Sequence, residues 1–414
     1  MKRPSYYRKR ILSWGPVAAL ALVLPRNPLA WLQWGALLRL PARTYHRTRR
    51  ALRRPSVWAS LWSLARAGLA HRYLPLLAAC VALSFCLPTL WGGFGVDDDL
   101  LHRTILLTST LPQALKGLFV FAEPGAAARL MEQGLFPWWA SPDVRVAFFR
   151  PLAAFSHWLD YQLWPNAPAL MHVQSLLWYG ALCALAAWVY QRIMGRRLSA
   201  GLAAFLFAVN VPHFSTVTAL NARNAIMASV FGLLALGMHD SWRRQGRRAG
   251  AWFGSLCLIL ALLSAEAGIA TVFYLFAYAL CLDRGNWKRR IASLIPYALI
   301  VVIWRVAYQS MGYGAGGSDF YLDPAQDIFR FGLAVLERWG GILFGQWAMP
   351  DPGLSALFST GARWGYWLIA LGFIALLGVG LWPLLRADRA ARFWAVGMAL
   401  AITPVCAISP ALGR

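Results

Sequence analysis

The sequence predicts an all-α fold, a polytopic transmembrane helix bundle of about eight to nine spans with amphipathic surface helices in a large first extracytoplasmic loop. Three observations carry that expectation. Apolar residues make up 59% of the 414 residues and charged residues only 14%, whereas a water-facing chain carries about 25% charged residues. Apolar stretches able to cross about 30 Å of hydrocarbon, roughly 20 residues each, recur from residue 73 onward. Lys and Arg cluster between those stretches, so the net charge of +24 reads as membrane orientation and not as a nucleic-acid surface.

Residues 1–72 read as a basic amphipathic arm on the cytoplasmic membrane surface. They hold 15 Lys or Arg and no acid, with Trp31, Trp34, Trp58 and Trp62 interleaved, a pattern suited to helices lying on an anionic leaflet. Pro16, Pro25 and Pro28 interrupt the early apolar stretch and basic residues resume at Arg39, which argues against a cleaved signal. Residues 73–414 form the transmembrane domain, with 95–167 as its acidic extracytoplasmic loop.

Spans are expected near 73–93, 168–191, 199–214, 222–240, 291–309, 363–385 and 393–410. The apolar segment 251–282 is too long for one ordinary crossing, and basic clusters flank both its ends: Arg243, Arg244, Arg247 and Arg248, then Arg284, Lys288, Arg289 and Arg290. Two short helices turning at Ser264-Ala265-Glu266-Ala267-Gly268 keep both clusters inside and place Glu266 at an outer turn. The stretch 325–347, with Arg330, Glu337 and Arg338, is expected to lie along the outer surface or to re-enter. The loop Gly312-Tyr313-Gly314-Ala315-Gly316-Gly317 lacks the strand and Lys-Ser/Thr of a phosphate cradle and reads as a flexible lid.

In this threading only Asp240, Asp283 and Asp388 of the 16 acids fall inside. The outward acids suggest chemistry at the outer face. The expected location is the inner (plasma) membrane, multi-pass, with a cytoplasmic N-terminus and an extracytoplasmic active face. The six cysteines sit in apolar runs without a CxxC, as small hydrophobic fillers do. His102 and His172 show no metal-ligand spacing, so no metal site is assigned.

Directly after the first span comes Phe94-Gly95-Val96-Asp97-Asp98-Asp99. Adjacent carboxylates at a membrane boundary are costly unless solvated, paired or used. They would take a proton from an attacking hydroxyl or bind a divalent cation; the alternative is a solvated loop start. Further along lie Phe149-Arg150-Pro151-Leu152, Leu159-Asp160-Tyr161, Pro168 and His172, Phe207-Ala208-Val209-Asn210-Val211-Pro212-His213, Asn221-Ala222-Arg223-Asn224, and the turn at Glu266.

In that order these features resemble the GT-C superfamily of polytopic glycosyltransferases. The chain is most similar to the O-mannosyltransferase branch with tetratricopeptide repeats and its bacterial relatives. Asp97-Asp98 matches the family's acidic pair, Arg150-Pro151-Leu152 its Arg-Pro-Leu element, and the turn at Glu266 its Lys-Glu-x-Gly. The likeness covers about 90–285 of this chain. Asn210 and Ser215 replace a family His and Glu, Ala265 replaces the Lys, and the sequence carries no tetratricopeptide repeat.

The resemblance implies a sugar transfer that inverts the anomeric centre. The donor would be a polyprenyl-phosphate sugar, the acceptor an extracytoplasmic protein, lipid or glycan, and Asp97 or Asp98 the general base. Arg150, Arg223 and Arg305 are candidates for the donor phosphate, because a guanidinium makes charge-assisted bidentate contacts. His213 and Glu266 would line the donor or acceptor site, and Trp138-Trp139 would stack on a sugar ring. Set against these are plainer roles: snorkelling for Arg305, an ion pair for Glu266, an interfacial hydrogen bond for His213. Two other functions stay open, a lipid or solute transporter and an inactive membrane scaffold, although no internal repeat supports the former.

Overall fold

The computed structural model describes residues 57–95, 98, 106, 109–134, 141, 143–317, 321–346 and 358–408. Most of the basic arm, Asp97, His102 and Trp138-Trp139 lie outside the described residues. The chain divides into two compact units, Met1–Gly68 with Leu376–Ala387, and Leu69–Ala375 with Asp388–Arg414.

The helices, in order, are α1 (Val57–Leu69), α2 (Leu74–Cys86), α3 (Leu111–Gly117), α4 (Ala127–Glu132), α5 (Pro151–Leu163), α6 (Pro168–Met194), α7 (Leu198–Ala208), α8 (Val211–Thr218) and α9 (Arg223–Gln245). They continue with α10 (Ala249–Ser264), α11 (Ala270–Cys281), α12 (Trp287–Ala292), α13 (Ile295–Ser310), α14 (Ile328–Gly345), α15 (Thr360–Ala387) and α16 (Arg389–Ala401). In the first unit residues 62–67 of α1 are exposed, and the Arg386 guanidinium lies 4.5 Å from the Trp382 ring.

Six helical stretches among the described residues are long and apolar enough to cross a membrane: Leu74–Trp91, Pro168–Met194, Leu220–Gln245, Trp287–Ser310, Gly361–Ala387 and Arg389–Ala407. Leu198–Ala208 with Pro212–Thr218, bent by 46°, makes a seventh if it counts as one span. The protein is therefore mostly helical and multi-pass. The shortfall from eight or nine lies in Ala249–Ser264 and Glu266–Cys281; α10 has 16 residues, about 24 Å, and is short for the hydrocarbon core. The break between them falls at Ala265, where the expected turn stands. Gly268 there is packed against the Ala261 carbonyl so closely that a Cβ would lie 2.8 Å from its oxygen.

Local chemistry explains the helix ends. Pro151 and Pro168 open α5 and α6 at the first turn, where a missing N–H costs nothing and φ is already helical. Gly246, left-handed at φ 70°, closes α9 by returning its N–H to Ser241 and Trp242, with Arg243 and Arg244 in the last turn facing the negative end of the helix dipole. In the middle of the bundle small residues let backbones approach: Gly237 abuts the Trp188 ring and Gly250 the Met238 carbonyl. Leu236, Leu258, Leu262, Leu275, Tyr278 and Phe393 form a core joining α9, α10, α11 and α16.

The all-α expectation needs one correction. Val120–Ala122 (β1), Arg145–Ala147 (β2) and Gly314–Gly316 (β3) form an antiparallel sheet in the order β1-β2-β3. Strands of three residues carry too little alternation to show in the sequence. The same sheet corrects the reading of 312–317 as a flexible lid. The loop supplies β3, the Tyr313 hydroxyl donates to the Lys116 carbonyl at 2.9 Å, and the Phe149 and Tyr313 rings meet at 5.0 Å. Gly317, at φ +68°, passes so near Asp143 and Val144 that a Cβ would lie 3.0 Å from the Asp143 oxygen. Helix α14 exposes Ile328, Phe329, Leu333 and Leu336, and Arg338 donates to the Cys406 and Ile408 carbonyls.

Candidate functional site

Helices α6 and α9 run side by side in the same direction, so their contacts define two ends of the bundle about 25–30 Å apart. At the end where both helices begin, Arg223 meets Met171 and Ser175. Where both finish, Arg192 pairs with Asp240. Most of the residues singled out in the sequence belong to the first end.

Arg223 opens α9 and its side chain is 0% exposed, as is that of Asp160 on α5, 2.5 Å away. All three guanidinium nitrogens donate: Nε to Ser175 Oγ at 3.0 Å, Nη1 to Ser156 Oγ at 3.0 Å, to Asp160 and to Gln174, and Nη2 to the Met171 carbonyl at 2.9 Å. A buried charge of this kind survives because it is paired and hydrogen-bonded throughout. Burial, opposed by Arg223, pushes the Asp160 carboxyl up to about 6. Arg223, expected as a phosphate ligand, here turns its guanidinium to its own chain. A guanidinium closed off by five groups of its own chain has no face left for a lipid phosphate.

Asp98 is buried beside this pair. Its Oδ2 accepts from the Gly95 amide at 3.0 Å and its Oδ1 from the Asn221 amide at 3.1 Å, while the Tyr161 hydroxyl donates to its carbonyl at 3.3 Å. His172, buried in α6, holds the same loop through Nε2 and the Gly93 carbonyl at 2.9 Å; because a carbonyl only accepts, Nε2 carries the proton.

At the other end of α5, ten residues and about 15 Å from Asp160, stands Arg150. Its Nε and Nη2 contact Glu266 Oε2, both at 2.7 Å, and its guanidinium lies over the Phe148 ring at 4.4 Å. The Tyr308 hydroxyl is placed between Glu266 Oε1 (3.3 Å) and the Ala147 carbonyl (3.2 Å). The Arg150 and Glu266 side chains remain 18% and 25% exposed, and Arg150 Nη1 has no partner among the described residues. Arg305 pairs with Asp323 through Nη2, at 2.6 and 2.7 Å, and keeps 29% exposure. Next to Glu266, the residues Ala267, Gly268, Thr271 and Tyr274 line an apolar cavity of about 220 Å³ with Leu182 and Gly232.

His213 sits at the bend between α7 and α8, its ring against Phe207 and Tyr179. Nδ1 lies 3.0 Å from the Phe207 carbonyl and 3.4 Å from the Tyr179 hydroxyl. The carbonyl fixes the proton on Nδ1, so the neutral ring presents Nε2 as an acceptor.

The structure thus unites Asp98, Asp160, His172, Asn221 and Arg223 in one cluster, and Arg150, Glu266 and Tyr308 in a second. Arg305 adjoins the second cluster, its guanidinium 5.8 Å from the centre of the Tyr308 ring, whereas His213 contacts neither cluster among the described residues. Sequence reasoning missed Ser156, Gln174 and Ser175. Their signal was present: Met171, Gln174 and Ser175 share one face of α6, and Ser156 and Asp160 one face of α5, polar positions within apolar helices.

A protein O-mannosyl-transferase of Caenorhabditis elegans is 28% identical to this chain over 167 residues, covering 37% of the chain. The chain spans 22% of that relative's length. No family model and no solved structure matches the chain.

Proposed function

We propose that this protein is a membrane glycosyltransferase of the GT-C type, moving a mannose-like hexose from a polyprenyl-phosphate donor to an acceptor outside the cell membrane, with inversion. The observation that carries the reading is the gathering of the motif residues at one end of α6 and α9: Asp98, Arg223 and His172 in one cluster, Arg150 and Glu266 in the other. The likeness to an O-mannosyl-transferase supports it.

In the proposed reaction an acceptor hydroxyl attacks the anomeric carbon. The new C–O bond forms as the bond to the donor phosphate breaks, polyprenyl phosphate departs, and the acceptor's proton passes to the acidic pair Asp97-Asp98. Arg150, whose Nη1 is open, and the partly exposed Arg305 neutralise the leaving phosphate, while Glu266, itself bound by the Tyr308 hydroxyl, holds Arg150 in place. The apolar cavity beside Glu266 takes the first isoprene units. His213 Nε2 accepts from a sugar or acceptor hydroxyl. The face carrying these residues is taken as extracytoplasmic.

The test is transfer in vesicles holding the purified protein, radiolabelled polyprenyl-phosphate mannose and an envelope protein fraction as acceptor. Asp97→Asn is expected to lower release of polyprenyl phosphate by about 10²–10⁴-fold while donor binding stays near wild type. Wild-type vesicles that release nothing from mannosyl or glucosyl donors, yet carry a lipid or solute across the bilayer, would reject this reading for the transporter.

A further inference from the structure

Three helices converge on the start of the acidic loop. His172 of α6 fixes the Gly93 carbonyl, Tyr161 of α5 the Asp98 carbonyl, and Asn221, just before α9, the Asp98 carboxylate. The fit is close: a Cβ on Gly95 would lie 3.0 Å from Asp98 Oδ2. Two of the three holding points adjoin the fully buried pair. Asp160 precedes Tyr161, and Arg223 follows Asn221 by two residues.

A buried ion pair is a poor means to stability alone, since well-packed apolar residues of similar volume often do as well or better. What it supplies is direction: five acceptors on α5 and α6 admit the guanidinium in one placement. We infer that the Asp160–Arg223 pair is the positioning element of the acidic segment, setting Tyr161 and Asn221 where they hold Asp98. Asp98, with an oxygen accepting from each of two backbone amides, is then the clamp within the acidic pair, and the proton falls to Asp97. The positioning role in catalysis rests on the transferase reading; the clamp itself does not.

Two measurements on the full-length protein in nanodiscs test this. The first is amide hydrogen exchange of peptides covering 92–98 and 219–222, with 249–264 as an internal reference. The second is turnover of polyprenyl-phosphate mannose, separated into kcat and donor affinity. The double variant Asp160→Leu/Arg223→Met removes both charges together and leaves neither unpaired. It is expected to fold and to speed exchange at both peptides about tenfold, with the reference unchanged. Its kcat should fall about ten- to a hundredfold at constant donor affinity. In an Asp98→Asn background the same double substitution should add little further loss, because both act through one segment.

Normal exchange at 92–98 in a folded double variant would overturn the inference, and so would a double variant that fails to fold, which would make the pair a stability element. Faster exchange in a protein whose wild type turns over no sugar donor would uphold the clamp and reject the transferase reading. Ser175→Ala, which removes the partner of Arg223 Nε, should give a smaller shift in the same two peptides; a shift confined to the reference peptide would count against the inference.

Discussion

The two ends of α6 and α9 both carry buried ion pairs, yet they are built differently. At the end where the helices finish, Arg192 and Arg244 hold Asp240, Arg243 holds Asp283 at 2.7 Å, and the Tyr278 hydroxyl donates to Asp240 at 2.8 Å. Both carboxylates there are closed off, and the leftover cations, Arg196, Arg197, Arg247, Arg248, Arg284, Lys288 and Arg289, point into solvent. Such an end anchors: its charges complement helix C-termini and suit an anionic surface. At the opposite end, among the described residues, Arg223 pairs with Asp160, Arg150 with Glu266 and Arg305 with Asp323; the last two pairs stay partly open, and the residues after Glu266 line an apolar cavity. One end thus turns its excess cations outward, while the other keeps two ion pairs partly open, which is the end where the proposed reaction is placed.

The comparison breaks most sharply on topology. The Arg243–Asp283 pair brings the end of α9 and the residues just after α11 together, so the basic clusters at 243–248 and 284–290 share one end. Arg247→Cys and Lys288→Cys, in a background without native cysteines, should both react with a membrane-impermeant thiol reagent only after permeabilisation, and Glu123→Cys should react without it. Labelling of the first two from opposite sides would dissolve the distinction between the ends.

Stability separates the ends next. Arg223→Ala leaves Asp160 as an unpartnered buried charge and should cost about 3–5 kcal/mol, read as thermal unfolding in detergent. Arg247→Ala, on the exposed face of the anchor, should change the midpoint by less than about 0.5 kcal/mol equivalent. Equal losses would mean that the matched pair is no more committed to the fold than a surface cation.

Binding gives a smaller effect. If Arg150 contacts the donor phosphate, Arg150→Ala should weaken binding of polyprenyl-phosphate mannose about ten- to a hundredfold, the range of a charge-assisted hydrogen bond. Arg150→Lys should recover little, since an ammonium cannot hold Glu266 and a phosphate with one planar fork. Unchanged affinity in both variants would make Arg150–Glu266 structural.

The smallest expected effect is on pH dependence. Burial raises Asp160 from the ordinary carboxylate range to about 6 in the folded protein, so the folded state holds a proton that the unfolded chain has released. That contribution to stability is complete below pH 3.8 and is lost as pH rises through about 6. The melting-point difference between wild type and Asp160→Asn should therefore shift against the wild type as pH goes from 4 to 7. A difference that moves the other way would show that Arg223 outweighs burial.

The sequence by itself determined that this protein is mostly helical and multi-pass. Apolar length, sparse charge and clustered Lys and Arg are properties of local composition, and a bilayer acts on composition directly. The turn at Ser264–Gly268 was legible because two basic clusters cannot both stay on one side of a single crossing. For Glu266 the sequence left an ion pair and a place in the donor site both open; the structure sets it against Arg150. Only the tertiary structure decided the rest. Asp160 and Arg223 lie 63 residues apart and Arg150 and Glu266 116 apart, and no local periodicity encodes which helix faces which. The change of Arg223 from expected ligand to buried partner has the same cause. A guanidinium at a span end looks identical in sequence whether it faces lipid, substrate or protein, and packing against α5 and α6 selects among them. The three-stranded sheet, too, joins residues 120, 146 and 315, each strand too short to announce itself until the others are beside it.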